Sequence, residues 1–266
     1  MSVKVISSRD NPLYKELKQL ATSSQARRRA QRTLLDGVHL CGAYLGQRGL
    51  PVLCVVGDSA QANPEVAALL ARCANAQCIV LPDALFHALS QVEHGIALLF
   101  VIDTPQPLPT GVLSGDAVLL DNLQDPGNLG SILRSAAAAG VRSVYCGPGT
   151  AFAWSPKVLR AGMGAHFGLE IHEQVDLAAL LDQATVPVLA TSSHADALVY
   201  DVDLRAPVAW LFGHEGQGVS PELLARASKR VAIPHLGDME SLNVAASAAI
   251  CLFEQVRQKT AARTPG

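Results

Sequence analysis

Residues 117–140, AVLLDNLQDPGNLGSILRSAAAAG, contain an apolar run, a polar loop and a helical segment in succession. The run Ala117–Leu120 has the length and composition of a buried strand. The helix is expected from about Leu129 to Ala139, with Asn128 as its N-cap and Gly140 as the residue that ends it. A strand, a loop and a helix in this order form the repeating unit of an α/β fold.

The alternation of apolar strands and helices continues toward the C-terminus. After the first unit we expect strands at Ser143–Cys146, Val186–Thr191, Ala209–Phe212 and Arg230–Ile233. The helices between and after them are expected at about Pro156–Met163, Leu177–Gln183, Pro221–Ala227 and Leu242–Gln258. Strands that are separated by helices pair in parallel, so the pattern predicts a mostly parallel sheet with helices on both faces.

A second, smaller α/β region precedes this one. Its strands are expected at Val52–Val56, Cys78–Leu81 and Ile96–Ile102, and its helices at about Pro12–Arg32, Val38–Gln47, Pro64–Ala74 and Ala84–Gln91. Between the two regions, Thr104–Gly111 has three prolines in eight residues, a composition that continues neither a helix nor a central strand. The predicted organisation is a first domain of residues 1–104, a proline-rich linker of residues 105–111 and a second domain of residues 112–266.

The composition is that of a folded chain. Of the 266 residues, 49% are hydrophobic and 17% are charged, which excludes a disordered protein. The apolar runs are far shorter than the roughly 18–20 residues of a membrane span, and the N-terminus shows no apolar signal segment, so we expect a cytoplasmic protein with no membrane partner. The six cysteines are expected to be small buried side chains rather than a disulfide framework.

The net charge of −2 conceals an uneven distribution. Residues 1–34 carry eight Lys or Arg and two Asp or Glu, a local charge of +6, which leaves −8 for the rest of the chain. The basic residues are densest at Arg27, Arg28, Arg29 and Arg32, a pattern typical of contacts with nucleic acid phosphates. A solvated helix face would have the same composition, and position alone leaves both interpretations open.

The common nucleotide and metal signatures are missing from the sequence. There is no Gly-Lys-Ser/Thr phosphate loop, and the glycines of residues 213–218 are spaced G-x-x-G-x-G rather than in the G-x-G-x-x-G order of a dinucleotide-binding turn. No grouping of Cys and His has the spacing of a common zinc site, so no metal is expected. An ordinary dinucleotide-binding fold is therefore disfavoured.

Polar, glycine-bearing loops follow three apolar strands of the second domain. Because the carboxyl ends of parallel strands meet at one edge of a sheet, these loops are expected to converge. In the first loop and helix, Arg134 lies near the positive end of the helix and would suit an anionic ligand such as a phosphate. In the second loop, Glu215 is placed where it could orient a ligand. In the third loop, Ser241 or Asn243 can cap the last helix.

The residues of these loops, in this order, resemble the three motifs of a known enzyme family. They are Asp125-Pro126-x-Asn128-x-Gly130-x-Ile132-x-Arg134, then Gly213-x-Glu215-x-x-Gly218-Val219-Ser220, then Ile233-Pro234 followed by Ser241-Leu242-Asn243-Val244-Ala245. The family is the SpoU/TrmH class of SPOUT RNA 2′-O-ribose methyltransferases. The similarity extends to residues 155–165 and, near the N-terminus, to Asn11-Pro12-x-x-Lys15, so it covers nearly the whole chain.

The resemblance implies a fold and a reaction. The second domain would be a trefoil-knotted SPOUT domain with a mostly parallel sheet, and the first a smaller α/β, ribosomal-protein-like RNA-binding domain. The protein would be an RNA (ribose-2′-O-)-methyltransferase that uses S-adenosyl-L-methionine, needs no metal and assembles as a homodimer. Ribosomal RNA would be its substrate more readily than transfer RNA, because the long N-terminal module resembles that of the ribosomal members.

The resemblance also assigns roles to residues by motif position. The residues expected to contact the cofactor are Thr191, Ser192, Gly213, Ile233 and Leu242. The catalytic and RNA-orienting residues would be Asn128, Arg134, Glu215, Ser241 and Asn243. The RNA-binding residues of the first domain would be Arg27, Arg28, Arg29 and Arg32.

Two other interpretations of the sequence remain. A catalytically silent RNA-binding protein could have the same fold, although the intact motif residues argue against it. A nucleotide-binding enzyme of ordinary doubly wound topology is disfavoured by the missing phosphate-binding signatures. Binding of S-adenosylmethionine would separate this last interpretation from a methyltransferase.

Overall fold

A computed structural model describes residues 3–92, 95–107, 109–195 and 197–262. The chain divides into two compact units. The first unit contains residues 1–105 together with residues 154–167, and the second contains residues 106–153 and 168–266. Each unit has its own sheet, so the two are described separately.

The described segments contain strands and helices that alternate along most of the chain. The strands are β1 (Val3–Val5), β2 (Arg32–Asp36), β3 (Leu53–Gly57), β4 (Gln77–Leu81), β5 (Leu98–Asp103), β6 (Ala117–Leu120), β7 (Ser143–Cys146), β8 (Glu170–His172), β9 (Val188–Thr191), β10 (Ala197–Leu198), β11 (Ala209–Phe212) and β12 (Lys229–Ala232). The helices are α1 (Pro12–Thr22), α2 (Ser24–Ala30), α3 (Val38–Gln47), α4 (Pro64–Arg72), α5 (Asp83–His87), α6 (Pro126–Ala138), α7 (Pro156–Gly162), α8 (Leu177–Asp182), α9 (Pro221–Arg226) and α10 (Val244–Ala261).

The sheet of the first unit has the order β1-β4-β3-β5-β2. Strands β1, β4 and β3 are parallel, whereas β5 runs antiparallel to both β3 and β2. Every residue of β3 is buried, and β5 is buried from Leu98 to Ile102, so these two strands form the centre of the core. The unit is therefore an α/β unit with a mixed parallel and antiparallel sheet, and the strand pair β3 and β5 lies at the centre of its core.

The helix predicted over Pro12–Arg32 is interrupted. Ser23 has extended backbone angles, ends α1 and begins α2, whose Ala26 N–H donates to the Ser23 hydroxyl at 3.1 Å. Gln31 adopts the left-handed conformation that ends α2, and Arg32 is already the first residue of β2. The single long helix was wrong because a serine that can cap a new helix lies in the middle of the basic segment.

The segment 154–167 belongs to the first unit, although the sequence boundaries assigned it to the second domain. Thr33, in β2, donates its hydroxyl to the Trp154 carbonyl at 2.8 Å. Arg48 donates to the Phe167 carbonyl at 2.8 Å, and the ring of Phe167 meets that of Tyr44 edge to face at 5.3 Å. The start of the segment is thus bound to β2, and its end is bound to the C-terminal end of α3.

The sheet of the second unit has the order β10-β12-β9-β11-β6-β7-β8, and all its strand pairs are parallel. The prediction of a mostly parallel sheet is confirmed. The strands β6, β7 and β11 have the predicted bounds at both ends. Because β12, β9, β11 and β6 are neighbours, the loops that follow them lie together at one edge of the sheet.

Helix α6 begins earlier than predicted. Asp125, not Asn128, is the N-cap: its Oδ1 accepts the Asn128 backbone N–H at 2.8 Å, and Pro126 occupies the first helical position. An Asp followed by Pro is a stronger start signal than the Asn three residues later. The consequence is functional, since the Asn128 side chain is not used for capping.

The six cysteines are free and buried, as predicted. Four lie in the first unit and two in the second, namely Cys41, Cys54, Cys73 and Cys78, and then Cys146 and Cys251. Burial is the main effect on each of these thiols and raises its pKa. They therefore act as small apolar side chains. Among the described residues, no helix is both long and apolar enough to cross a membrane.

Candidate active site

The loop after β11 forms a tight turn that leaves no room for a side chain at Gly213. A Cβ atom there would lie 2.1 Å from the Gly218 carbonyl carbon and 2.1 Å from the Val219 nitrogen. His214 and Gly218 exchange backbone hydrogen bonds across the turn, at 3.0 and 2.8 Å. Glycine is required at 213 because the chain passes against its own backbone.

Glu215, in this turn, binds the loop that precedes α6. Its Oε1 accepts the Asp125 backbone N–H at 2.9 Å and the Asn128 side-chain amide at 3.2 Å. Its Oε2 accepts the Gln124 backbone N–H at 3.2 Å. The carboxylate therefore joins the second motif to the first.

The surroundings of Glu215 favour its ionised form. Burial of part of the carboxylate raises its pKa, but hydrogen bonds outweigh this effect and hold the pKa below its usual value. The donors are the backbone N–H groups of Asp125 and of Glu215 itself, the Asn128 amide and the backbone N–H of Gln124. A carboxylate that accepts several donors is a weak proton acceptor, so its chemistry here is orientation.

Asn128 and Asn243 extend this contact to the third motif. Asn243 donates its Nδ2 to the Asn128 Oδ1 at 2.9 Å. The Oδ1 of Asn243 accepts the backbone N–H groups of Ala245 and Ala246, at 2.9 and 3.2 Å, and so caps α10. The result is the Glu215–Asn128–Asn243 chain, in which each amide has a fixed direction and one residue comes from each motif.

A second contact between the first two loops was missed by the sequence motifs. Asp121, directly after β6, accepts the Ser220 backbone N–H on its Oδ2 at 2.8 Å. Ser220 itself begins α9 without using its side chain as a cap. The position of Asp121 at the carboxyl end of a central strand was the signal that could have identified it.

A cavity of about 370 Å³ lies at this edge of the sheet. All five residues expected to contact the cofactor are in its wall, namely Thr191, Ser192, Gly213, Ile233 and Leu242. Glu215 and Ser241 also line it. The wall combines apolar side chains with hydroxyl and backbone groups, and the volume is that of a small-molecule site.

A larger and more open cleft of about 560 Å³ lies near the end of α10. Its wall includes Tyr200, Arg205 and Arg257, and none of the motif residues is among the described residues that form it. The cavity at the sheet edge is therefore the candidate site.

Arg134 is not part of the hydrogen-bonded chain. It is exposed on α6, six residues after Asn128, which rotates it by about 240° around the helix. Its side chain makes neither a hydrogen bond nor an ion pair with any residue that the structure describes. An uncompensated guanidinium on the surface is available to an anionic partner.

The four arginines of the basic cluster have different surroundings. Arg27 is 5% exposed, and its Nη1 donates to the Leu20 carbonyl at 2.6 Å. Burial, followed by the charge of Arg28, lowers its pKa. The expectation that Arg27 contacts RNA is corrected, because its guanidinium holds the end of α1.

Arg32 also has intramolecular partners. It forms ion pairs with Asp103 at 3.0 Å and with Glu16 at 3.7 Å. Arg28 and Arg29 are exposed on α2 and are the members of the cluster most accessible to a partner in solution.

Comparison with known proteins agrees with the motif geometry. A sequence model of the SpoU rRNA Methylase family matches residues 116–253. The chain is 34% identical, over 98% of its length and 96% of the relative, to an uncharacterized tRNA/rRNA methyltransferase of Synechocystis. It is 31% identical to the 23S rRNA (guanosine(2553)-2′-O)-methyltransferase RlmP of Bacillus subtilis, over 94% of this chain and 98% of RlmP.

A solved structure supports the same assignment. The SpoU methyltransferase AviRb of Streptomyces viridochromogenes, in complex with its cofactor AdoMet, superposes with a TM-score of 0.86 at 25% identity, over 94% of this chain and 98% of that one. The resemblance inferred from the three motifs is therefore confirmed, and the chain belongs to the SpoU rRNA methylase family.

Proposed function

We propose that this protein transfers a methyl group from S-adenosylmethionine to a ribose 2′-hydroxyl of ribosomal RNA. The observation that carries the proposal is the Glu215–Asn128–Asn243 chain beside the cavity. It joins one residue from each family motif through hydrogen bonds. The activities named for RlmP and the cofactor bound to AviRb support the choice of reaction and cofactor.

The cavity fits S-adenosylmethionine in size and in the character of its wall. Ile233 and Leu242 offer apolar surface, while Thr191, Ser192 and the backbone at Gly213 offer polar groups, and these residues would hold the cofactor. When bound, the cofactor supplies an electrophilic methyl group on a positively charged sulfur. The residues of this chain must then position a hydroxyl that is a poor nucleophile, and positioning alone can contribute roughly 7–11 kcal/mol.

We assign positioning roles to the polar residues. The surroundings of Glu215 favour its ionised form and it accepts three hydrogen bonds from the first loop and helix, so we assign to it the fixing of Asn128 rather than the removal of a proton. Ser241, which lies in the cavity wall, would contact the ribose. Arg134 would bind a phosphate next to the reacting nucleotide, because it is a permanent cation without a described partner.

The first unit would bind the RNA substrate. Arg28 and Arg29 are the exposed cations of its basic cluster and would contact phosphates without regard to sequence. We retain the expected limits of 1–104, 105–111 and 112–266, with residues 154–167 packed in the first unit. The trefoil knot implied by the family resemblance is part of the proposal for the second domain.

A homodimer in the cytoplasm, where ribosomal RNA is found, is part of the same proposal. On α10, Ala246 and Phe253 are exposed, and Ala249 and Ile250 are half-buried on the same helix face. An apolar face at this spacing would suit a second copy of the chain. Light scattering should give the mass of a dimer for the unmodified protein and that of a monomer for Phe253→Glu.

The test is transfer of labelled methyl groups to RNA from cells that lack this protein. Ribosomal and transfer RNA are offered separately, and the modified nucleotide is mapped after digestion. We expect label on a ribose of ribosomal RNA, with a loss of at least about tenfold in rate for Asn128→Ala, since one charged hydrogen bond and one neutral one are removed. Label on a base, label on transfer RNA alone, or no label would each contradict the proposal.

A further inference from the structure

His214 occupies an unusual position in the turn after β11. Its ring Nδ1 accepts the backbone N–H of Gly216 at 3.0 Å and that of Gln217 at 3.2 Å. Its own backbone is bridged to Gly218. The ring therefore supplies one acceptor atom to two backbone donors of the turn.

This geometry fixes the chemical form of the ring. A histidine nitrogen accepts a hydrogen bond only through its lone pair, so Nδ1 carries no proton and the neutral ring has its proton on Nε2. Protonation of Nδ1 would place a third N–H group against the two backbone N–H groups. The charged ring is therefore incompatible with the closed turn.

The next residue in the chain is Glu215, which holds the first motif through its bonds to Gln124, Asp125 and Asn128. We propose that His214 is a positioning residue: its neutral ring holds the turn that presents Glu215, and protonation of the ring opens the turn and disables the site. This inference rests on the proposed methyl transfer for its effect on activity. It predicts an acid limb in the pH profile, because the closed turn excludes the proton that the open turn can bind.

Other titratable groups lie in the segments around the turn. They are Glu215 in the turn itself, Asp121 and Asp125 before α6, His194 after β9 and His235 after β12. The Nδ1 of His194 pairs with the Ser193 hydroxyl at 3.0 Å, and that of His235 pairs with the Met239 carbonyl at 3.0 Å. A protonated ring can donate to either oxygen, so protonation removes no bond from these two residues. Of these three histidines, only His214 accepts its hydrogen bonds from backbone N–H groups, and such groups can donate a hydrogen bond but cannot accept one.

Asparagine is a matched substitute for this role. The Oδ1 of asparagine is bonded to Cγ, as Nδ1 is in histidine, and asparagine commonly accepts backbone N–H groups two and three residues later. His214→Asn therefore keeps the acceptor but does not titrate near neutral pH. His214→Phe keeps a ring of similar size and removes the acceptor, and His235→Asn is the control for a general change in the cavity wall.

The first experiment measures kcat and KM for methyl transfer between about pH 5 and pH 9. For the unmodified protein we expect kcat/KM to fall toward the acid end of this range, by up to about tenfold per pH unit for the uptake of one proton. His214→Asn should lose this limb and remain active at the acid end, and His235→Asn should keep it. An acid limb that persists in His214→Asn would overturn the inference.

The second experiment does not depend on catalysis. Hydrogen exchange followed by NMR gives protection factors for the Gly216 and Gln217 amides, and ring nitrogen shifts show which nitrogen is protonated. Protection should fall toward acid pH in the unmodified protein, by up to about tenfold per pH unit, and stay constant in His214→Asn. If protection behaves in this way but no RNA is methylated, the proposed function fails and the switch in the turn stands. If protection is independent of pH, the switch is refuted.

Discussion

Asn243 and Asn128, which lie 115 residues apart in the chain, are joined by a hydrogen bond of 2.9 Å between Nδ2 and Oδ1. Asn243 is also the N-cap of α10, so one side chain begins the last helix and completes the polar chain of the site. Stability and activity therefore depend on different atoms of the same residue, and substitutions can separate them.

Asn243→Asp should preserve stability and reduce activity. The aspartate keeps an oxygen that caps α10 but lacks the amide that donates to Asn128, whereas Asn243→Ala lacks both. We expect Asn243→Ala to lose about 1 kcal/mol of unfolding free energy, and both variants to lose roughly tenfold in kcat. Urea unfolding and single-turnover methyl transfer measure the two effects. Equal activity of Asn243→Asp and the unmodified protein would show that the amide contact is dispensable.

The lowered pKa of Glu215 predicts that the stability lost on replacing this residue depends on pH. Its pKa is lowered in the folded state, so its ionised form contributes stability above the ordinary glutamate value of 4.5, and the contribution is lost as the pH falls through the folded-state pKa. Glu215→Gln should therefore be less stable than the unmodified protein at pH 7, and the difference should shrink toward acid pH. Denaturant unfolding at a series of pH values tests this, and a difference that grows on acidification would contradict it.

Gly213 and Gly216 form a matched pair of glycines in one turn. A Cβ at 213 would lie 2.1 Å from backbone atoms, whereas a Cβ at 216 would meet only the His214 ring, at 3.7 Å. Gly213→Ala should lose at least about 1–3 kcal/mol of unfolding free energy, the usual cost of forcing atoms into a packed site, and Gly216→Ala should lose far less. Thermal and denaturant unfolding compare the two. Similar losses would mean that the turn adjusts to a side chain at 213.

Substitutions of neighbouring arginines in the basic cluster are expected to affect different properties, stability in one case and RNA affinity in the other. Arg27→Ala removes buried hydrogen bonds to the end of α1 and should cost about 1–3 kcal/mol of stability. The double variant of Arg28→Ala and Arg29→Ala should cost less stability than Arg27→Ala, because both side chains are exposed. It should reduce the slope of log affinity for RNA against log salt by roughly 0.7 for each phosphate that the protein no longer neutralises. An unchanged slope would remove these two residues from the RNA-binding surface.

The sheet of the second unit was predictable from the sequence because its central strands are buried on both faces. β6 and β11 are continuous apolar runs, and they end where Asp121 and Gly213 begin the loops that follow. β1 could not be predicted in this way, since it has only three residues, Val-Lys-Val, and all of them are exposed. It forms by pairing with β4, a contact between distant parts of the chain.

The sequence predicted which residues lie together at the candidate site, but not which of them are hydrogen-bonded to each other. Motif matching singled out Glu215, Asn128 and Asn243, whereas the helix start signals gave the capping role of Asp125 to Asn128. Arginine is usually exposed, so composition could not show that Arg27 is buried. Which side chain accepts which donor depends on atomic positions that no spacing rule specifies.

The buried cysteines can be used to follow the unfolding of the protein. A thiol-reactive probe can modify each of them only when the surrounding structure opens, because the thiolate is disfavoured and shielded in the folded state. Labelling followed by mass spectrometry of peptides would time the exposure of Cys54 in the first unit against that of Cys251 in the second. The two units could thus be ranked by opening rate in a single sample, without introducing any foreign label site.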